Sequence, residues 1–259
     1  MKNKAITFSF GKNWKHFQKS IDATSIKLAL NDIDLWIGRD KIKNSTILDI
    51  GSGSGLMSYC YFMLGARKIV SFDFDSFSVD ATRKLWIQSS KPDNWEIFEG
   101  SILDMRFLDN FDKFDIVSSW GVLHHTGKMW EAINNALSLV DVNGLFWISI
   151  YQGVSTYQQD LALKNKYNEA FWLGKKIMVI REIYNLMKLQ FESGLNPLKW
   201  NKKRGRGMTV YNDIVDWFGG LPYEVASKEE IINYCLNLGL KLMKLNDKEA
   251  CIVYLFKRV

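Results

Sequence analysis

The chain has 259 residues, of which 47% are hydrophobic and 24% charged, with three prolines, three cysteines and a net charge of +6. This composition is typical of a globular chain and excludes collagen-like, disordered and disulfide-framed proteins. The cysteines are few and far apart, and the sequence has neither a signal-peptide core nor a run of 18 apolar residues. We therefore expect a cytoplasmic location and no transmembrane segment.

The positive charge is concentrated in one part of the chain. Residues 158–206 contain eleven Lys or Arg against four Asp or Glu, so the rest of the chain is near neutral. Such a surplus indicates an anionic partner, which is a phosphorylated small molecule, a glycan, a nucleic acid or a membrane surface. A solvated helix face explains the same surplus equally well.

In chain order, residues 1–45 carry aromatic anchors and one or two short amphipathic helices between Ser20 and Trp36, which predict an N-terminal helical cap. From residue 46 to 150, short apolar runs alternate with helical patterns. The predicted strands are Thr46–Ile50, Lys68–Phe72, Trp95–Phe98, Phe114–Ser118 and Leu145–Ile150. This alternation predicts an α/β fold with a mostly parallel sheet and helices on both faces, which binds ligands at the carboxyl ends of its strands.

The alternation stops at Tyr151 and resumes near the end of the chain. Residues 157–200 have helical apolar spacing, whereas residues 195–222 are rich in Gly, Lys, Arg and Trp and predict a loop. A helix over residues 227–238, capped by Ser227 and Glu230, precedes two strands that form an antiparallel hairpin. We therefore predict a core of residues 46–150 and 227–259, and an insertion at 151–226 that forms a lid over the substrate.

A glycine-rich turn follows the first predicted strand. Gly51, Gly53 and Gly55 stand at alternate positions, and an apolar helix begins at Leu56. Such a turn brings a ligand close to the backbone and to the free N–H groups of a helix N-terminus. An ordinary strand-to-helix turn has the same composition, so the flanking residues must decide between the two.

The flanking residues favour a nucleotide-like cofactor. Asp73 ends the second strand, where an acidic side chain can accept hydrogen bonds from a ribose diol. The alternative is a metal clamp made by Asp73 and Asp75, but a helix N-cap explains Asp75 equally well. The glycine spacing is G-x-G-x-G, preceded by Asp49, and it differs from the G-x-G-x-x-G of dinucleotide-binding proteins.

With this spacing, Asp73 and the closing hairpin, the chain resembles the class I S-adenosylmethionine-dependent methyltransferases over residues 45–150 and 227–259. The resemblance implies a Rossmann-like seven-stranded sheet, S-adenosylmethionine as cofactor, and transfer of its methyl group by in-line displacement. It also implies that Asp49 and the glycine turn hold the amino acid portion of the cofactor, Asp73 its ribose and the segment at Ser101 its adenine. The full predicted cofactor set is Asp49, Gly51, Ser52, Gly53, Gly55, Asp73, Phe74, Ser101, Ile102 and Trp120.

Four further residues are candidates for acid–base chemistry at the acceptor. His124 and His125 follow the fourth strand, in the loop that faces the cofactor methyl group in the family. Tyr151 follows the fifth strand, and Glu224 follows a Gly-Gly turn in the insertion. A histidine here can act as general base or orient the acceptor, although a purely structural pair is the alternative. The sequence predicts no metal site.

The choice of acceptor is the least determined feature. Segments at residues 8–14, 120–127, 150–151, 206–208 and 216–224 resemble a bacterial subfamily associated with surface-polysaccharide and secondary-metabolite gene sets. Together with the basic insertion, that resemblance predicts a small anionic acceptor, such as a sugar, a polysaccharide precursor or a phosphorylated metabolite. Lys164, Arg204 and Arg206 are candidates to pair with its phosphate or carboxylate, although solvation at the surface explains any single one of them better.

Three alternatives stay open. The first is an RNA or protein methyltransferase that uses the basic insertion. The second is a nicotinamide oxidoreductase, which the glycine spacing and the hairpin disfavour. The third is a non-enzymatic binding subunit or membrane-surface module that uses the apolar and basic stretch at residues 170–192.

Overall fold

The computed structural model describes residues 8–18, 20–153, 155–203, 208–248 and 251–259. Its centre is a seven-stranded sheet in the order β3-β2-β1-β4-β5-β7-β6. The strands are β1 (Thr46–Ile50), β2 (Lys68–Asp73), β3 (Trp95–Glu99), β4 (Phe114–Trp120), β5 (Val140–Tyr151), β6 (Leu240–Asn246) and β7 (Cys251–Arg258). Strands β1 to β5 are parallel, and β7 is antiparallel to both β5 and β6. The predicted sheet and its closing hairpin are confirmed.

Helices cover both faces of the sheet. The helices that connect the strands of the sheet are α4 (Leu56–Met63), α5 (Ser76–Gln88), α6 (Met105–Leu108), α7 (Met129–Ser138) and α11 (Lys228–Asn237). Side chains alternate between the two faces of β1, so Ile47 joins the core beneath α4 while Leu48 joins the core beneath α7 and α11. Both residues are fully buried. This two-sided burial explains why the parallel strands have apolar residues on both of their faces.

Helices outside the sheet region lie before β1 and between β5 and β6. Before β1 they are α1 (Phe10–Gln18), α2 (Ala23–Trp36) and α3 (Arg39–Ile42). In the insertion they are α8 (Tyr157–Glu169), α9 (Trp172–Glu192) and α10 (Val210–Gly219). Helices α8, α9 and α10 share a small apolar core of their own, which includes Tyr167, Val179 and Phe218. The division of the chain into cap, core and insertion stays a prediction.

The loop predicted over residues 195–222 is wrong, because α10 lies within it. Thr209 is its N-cap, and the hydroxyl of this residue accepts a hydrogen bond from the Asn212 N–H. Val210, Ile214 and Phe218 follow at spacings of four residues and are buried. The glycines around the segment obscured this apolar periodicity in the sequence.

Strand β5 is longer than its prediction. Strand β5 begins at Val140, five residues before its predicted start, and a register shift between Phe114 and Ile116 accommodates the extra pairing. The capping box at Ser227 and Glu230 is confirmed, with α11 beginning at Lys228. In the described part of the chain, no helix combines the length and hydropathy needed to span a bilayer.

Candidate active site

A cavity of about 1130 Å³ lies at the carboxyl ends of β1 to β5. Strands β1 and β4 are neighbours in the sheet although β2 and β3 intervene in the sequence, so the strand order reverses here. Ligands of open α/β sheets bind at this kind of reversal. The wall also includes residues from the segment before α1 and from α10, such as Phe8 and Asp216.

The glycine turn is closed by hydrogen bonds and by close packing. The Gly51 and Ser52 N–H groups both donate to the Phe72 carbonyl oxygen, at 2.8 and 3.1 Å. Gly51 has φ +72°, and a Cβ there would lie 2.4 Å from a methyl group of Val122. A Cβ on Gly55 would lie 2.7 Å from the Thr82 Cα, so Gly55 serves the packing of the turn against α5. The turn therefore accepts no side chain at either position.

Asp73 is tied to the same turn. Its Oδ2 accepts the Gly53 N–H at 3.0 Å, and its Oδ1 accepts the Asp75 N–H at 2.9 Å. Burial raises the pKa of Asp73 to about 6, while these two backbone donors act in the opposite direction. At neutral pH the carboxylate is ionised and lines the cavity, with lone pairs left to accept hydrogen bonds from a ligand.

Asp75 has a structural role. Its side chain caps α5 through the Phe77 N–H and also accepts hydrogen bonds from the Ser9 hydroxyl and the Gly11 N–H. It therefore connects the segment that begins α1 to the sheet. Among the described residues, no group of three or more His, Cys, Asp or Glu side chains is placed to hold a metal ion.

Asp49 lies in a smaller recess beside the main cavity. The recess is also lined by Ser52, Gly53, Trp14 and Trp120. The buried carboxylate of Asp49 accepts hydrogen bonds from the Ser58 and Ser118 hydroxyls. The recess and the cavity share Gly51, Trp14 and Trp120, so the predicted residues of β1 and β4 form one continuous wall.

Phe74, Ser101, Ile102 and Trp120 line the main cavity, whereas Gly55 lines neither the cavity nor the recess. Phe74 is 64% exposed and Ile102 is 4% exposed. Ser101 holds its own loop, because its hydroxyl accepts the Leu103 N–H at 3.1 Å. The Trp120 ring packs edge-on against Trp147, with the centroids 4.8 Å apart.

The imidazole of His124 is buried, and among the described residues it has no hydrogen-bond partner. Neither of its ring nitrogens is paired within the described part of the chain, and its side chain is 0% exposed. Its ring centroid lies 4.3 Å from that of Tyr151 and 4.4 Å from that of His125. Burial, and then the nearby His125 and Lys164, lower the pKa of His124 well below its usual range. Unpaired polar atoms at a cavity wall are costly unless a ligand or water meets them.

His125 is held in one orientation. Its Nδ1 lies 2.7 Å from the Pro222 carbonyl oxygen, and its ring centroid lies 5.0 Å from that of Phe10. Burial lowers the pKa of His125 to about 3, against the effect of the Pro222 carbonyl. The neutral ring therefore donates its proton from Nδ1 to this carbonyl, which leaves Nε2 as an acceptor.

Tyr151 and Glu224 also line the cavity. Burial raises the pKa of the Tyr151 hydroxyl well above its usual range, so this group stays protonated. The Glu224 carboxylate accepts the Met129 N–H, and the Glu224 N–H donates to the His124 carbonyl oxygen at 3.0 Å. Glu224 thus fixes the loop of His124 as well as the start of α7.

Lys164 is placed differently from its prediction as an acceptor contact. Its side chain is 0% exposed, and its ammonium donates to the Trp217 carbonyl oxygen. The ammonium lies 4.6 Å from the ring centroids of Trp217 and Tyr223. Burial lowers its pKa to about 7. Arg204 and Arg206 lie outside the described residues.

The sequence did not reveal the acidic wall. Asp213 and Asp216, three residues apart on α10, line the cavity together with Glu224. Lys128 is the only Lys or Arg among the described residues that line the cavity, and its ammonium pairs with the Glu131 carboxylate at 2.9 Å. The sequence contains a sign of this wall, because Asp213 and Asp216 are three residues apart and follow Thr209, a typical helix N-cap. Residues at this spacing share a face only in a helix, and the segment was predicted as a loop.

Sequence comparisons identify methyltransferases. The profile of a family described as a methyltransferase domain matches residues 41–207. The ribosomal protein L11 methyltransferase of Staphylococcus haemolyticus is 26% identical over 117 residues, which cover 45% of this chain and 35% of the relative. The ribosomal protein L11 methyltransferase of Clostridium perfringens is 30% identical over 84 residues, which cover 32% of this chain and 25% of the relative. The chain thus spans well under half the length of these curated relatives.

Structural comparisons identify the same fold. An O-methyltransferase family protein from Burkholderia thailandensis superposes with a TM-score of 0.56 at 15% identity, covering 93% of this chain and 58% of the other. Magnesium protoporphyrin IX methyltransferase from Synechocystis PCC 6803, solved with bound S-adenosylhomocysteine, superposes with a TM-score of 0.54 at 14% identity. That match covers 91% of this chain and 84% of the other.

Proposed function

Because the chain belongs to the methyltransferase-domain family of class I S-adenosylmethionine-dependent enzymes, we propose that it methylates a small acceptor held between His124, Tyr151 and α10. The observation that carries this proposal is the cavity, which extends from Asp73 and the glycine turn to the unpaired imidazole of His124. Its volume exceeds that of typical small-molecule pockets, at roughly 300–1,000 Å³, so it has room for cofactor and acceptor together.

In this proposal the cofactor lies along the ends of β1, β2 and β3. Asp73 accepts the ribose hydroxyls, the apolar surfaces of Phe74 and Ile102 enclose the adenine, and the recess at Asp49 takes the amino acid portion. The fit rests on the backbone bonds that hold Asp73 against Gly53, and on a turn that excludes side chains at Gly51 and Gly55. When bound, the cofactor supplies an electrophilic methyl group.

The chain's own contribution is to position the acceptor and to exclude water. Burial keeps His124 and His125 neutral, so an imidazole nitrogen can accept a hydrogen bond from a hydroxyl or ammonium group and so orient the acceptor. The Tyr151 ring supports His124 from the side. Alignment supplies a large share of the rate enhancement in a displacement of this kind.

The charges of the described wall favour a neutral or cationic acceptor. Asp213, Asp216 and Glu224 would oppose a phosphate or carboxylate group. The anionic sugar or phosphorylated metabolite predicted from the basic insertion is therefore the less favoured acceptor. The association with surface-polysaccharide gene sets stays a prediction.

A protein acceptor is the second candidate, because the curated relatives are methyltransferases of ribosomal protein L11. The basic surplus of residues 158–206 would also suit RNA. In both cases a segment of the macromolecule would have to enter the cavity between α1 and α10.

The test is transfer of a labelled methyl group from S-adenosylmethionine to a panel of acceptors. The panel contains neutral phenols and alcohols, amines, phosphorylated sugars, ribosomal protein and RNA. We expect product from the neutral or amine set, and we expect His124→Phe to lower kcat by about a hundredfold or more. His16→Phe is the matched control, since His16 is exposed on α1.

Two outcomes would contradict the proposal. Product from phosphorylated sugars alone would restore the anionic acceptor. Equal kcat values for His124→Phe and the unsubstituted protein would remove His124 from the reaction.

A further inference from the structure

Helix α9 is the most exposed apolar element of the described chain. It has 21 residues, of which only Val179 is buried. Met178, Ile183 and Leu186 are partly buried against α8 and α10, so one side of α9 is packed. The exposed apolar side chains of α9 lie on another side of the helix.

An apolar stripe runs along the exposed side of α9. Its members recur at positions i, i+4, i+7, i+11 and i+18, which lie on one side of a helix. They are Leu173, Ile177, Ile180, Tyr184 and Phe191, exposed by 43%, 57%, 64%, 65% and 72%. Two aromatic residues at the start of the helix, Phe171 and Trp172, are exposed by 68% and 67%. Exposed apolar side chains that are contiguous in this way mark an interaction site.

Basic residues border the stripe. At 100° per residue, Lys176 lies on one side of it, and Arg181 and Lys188 lie on the other. The Lys176 ammonium stacks over Trp172, 4.9 Å from the ring centroid. Lys188 pairs loosely with Glu192 at 3.8 Å.

The partner must therefore be apolar at its centre and negatively charged at its edge. A second copy of the chain would bring two positive faces together, which disfavours self-association. A nucleic acid would satisfy the cations but would leave the aliphatic stripe exposed to water. An anionic bilayer meets both requirements, because acyl chains receive the apolar side chains while headgroups attract the lysines and arginines.

We propose that α9 binds the surface of an anionic lipid bilayer and places the methyltransferase domain at a membrane. Phe171 and Trp172 lie at one end of the stripe, and aromatic side chains of this kind are enriched at the headgroup level. The helix lies in the plane of the interface and does not cross it.

The test is co-sedimentation of the full chain with vesicles. We expect the protein to pellet with vesicles of mixed phosphatidylserine and phosphatidylcholine, and to stay in the supernatant with phosphatidylcholine alone. The double variant I177S/I180S should lower the apparent affinity by about tenfold or more, because it removes two apolar anchors. High salt should release the protein, since screening weakens the attraction of the lysines.

The matched control is Leu35→Ser, which removes an aliphatic side chain that is 67% exposed on α2. Circular dichroism and binding of S-adenosylhomocysteine establish that each variant is folded. Absence of pelleting, or equal pelleting of I177S/I180S and the unsubstituted chain, would overturn the proposal. A dimer in solution that I177S/I180S converts to a monomer, without vesicle binding, would overturn it in favour of self-association.

Discussion

Asp73 combines a structural and a ligand-facing role in one carboxylate. Its two oxygens hold the backbone of Gly53 and Asp75, and the same side chain lines the cavity. Because burial raises its pKa to about 6, the carboxylate is ionised at neutral pH and becomes protonated in mild acid. The affinity for S-adenosylhomocysteine should therefore depend on whether Asp73 is present and ionised.

We expect Asp73→Ala to weaken the binding of S-adenosylhomocysteine by about tenfold to a hundredfold, the cost of losing hydrogen bonds to a charged group. Hydrogen bonds from a ribose favour the ionised carboxylate, so affinity should be full above pH 6 and should fall as the pH drops below it. The fall approaches about tenfold for each pH unit. Isothermal titration calorimetry at several pH values measures both effects.

The control for this experiment is Asp34→Ala, a change on the exposed side of α2 that should leave affinity and its pH profile unchanged. An Asp73→Ala variant that keeps its melting temperature and its affinity would remove Asp73 from the cofactor site.

At the scale of elements, α10 determines much of the charge on the wall of the proposed acceptor site. It brings Asp213 and Asp216 to the cavity, and its last residue, Gly219, precedes the turn whose Pro222 carbonyl orients His125. The helix begins at a Thr N-cap whose hydroxyl also bonds to the Asn212 side chain at 2.6 Å. Its stability is therefore concentrated at its first turn and in its buried face.

Thr209→Ala should lower the free energy of unfolding by about 1 kcal/mol, because the capping hydrogen bond to the Asn212 N–H is lost. Thr156→Ala is the matched control, since Thr156 precedes α8 but its side chain makes no capping bond. Urea denaturation of the two variants measures the difference. Equal stabilities would show that the cap does not stabilise α10.

At the scale of the whole molecule, the first and tenth helices meet across the cavity. The Asn13 amide donates to the Asn212 carbonyl oxygen and to the Asp216 carboxylate, and the Asn212 amide donates to the Asn13 side-chain oxygen at 2.7 Å. Asn13 and Asn212 are buried. This network joins the segment before β1 to the insertion, although about two hundred residues of sequence separate them.

Asn13→Ala should destabilise the protein by about 1–3 kcal/mol, because it leaves buried polar groups of α10 unpaired. Hydrogen exchange should accelerate in both α1 and α10, while the strands keep their protection. Lys12→Ala, at an exposed position of α1, is the control. Faster exchange in α1 alone would indicate that the two helices open independently.

The sequence by itself determined the sheet and brought most of the predicted cofactor residues to one cavity. The strand that ends at Ile50, the glycine turn, Asp73 and the capping box of α11 are local signals, because each depends on residues close together in the chain. Their order also determined the closing hairpin. For this reason the predicted cofactor residues other than Gly55 line the cavity at one edge of the sheet or its adjoining recess.

Only the tertiary structure decided what the rest of the cavity contains. Local composition predicted a loop where α10 lies, and it placed the buried Lys164 at the acceptor. The acidic wall, the neutral state of His124 and the bond between Asn13 and Asn212 depend on segments far apart in sequence. The charge of a buried side chain and its contacts with distant segments depend on burial and on long-range pairing. Burial and long-range pairing arise only when the chain folds, so the sequence alone does not reveal them.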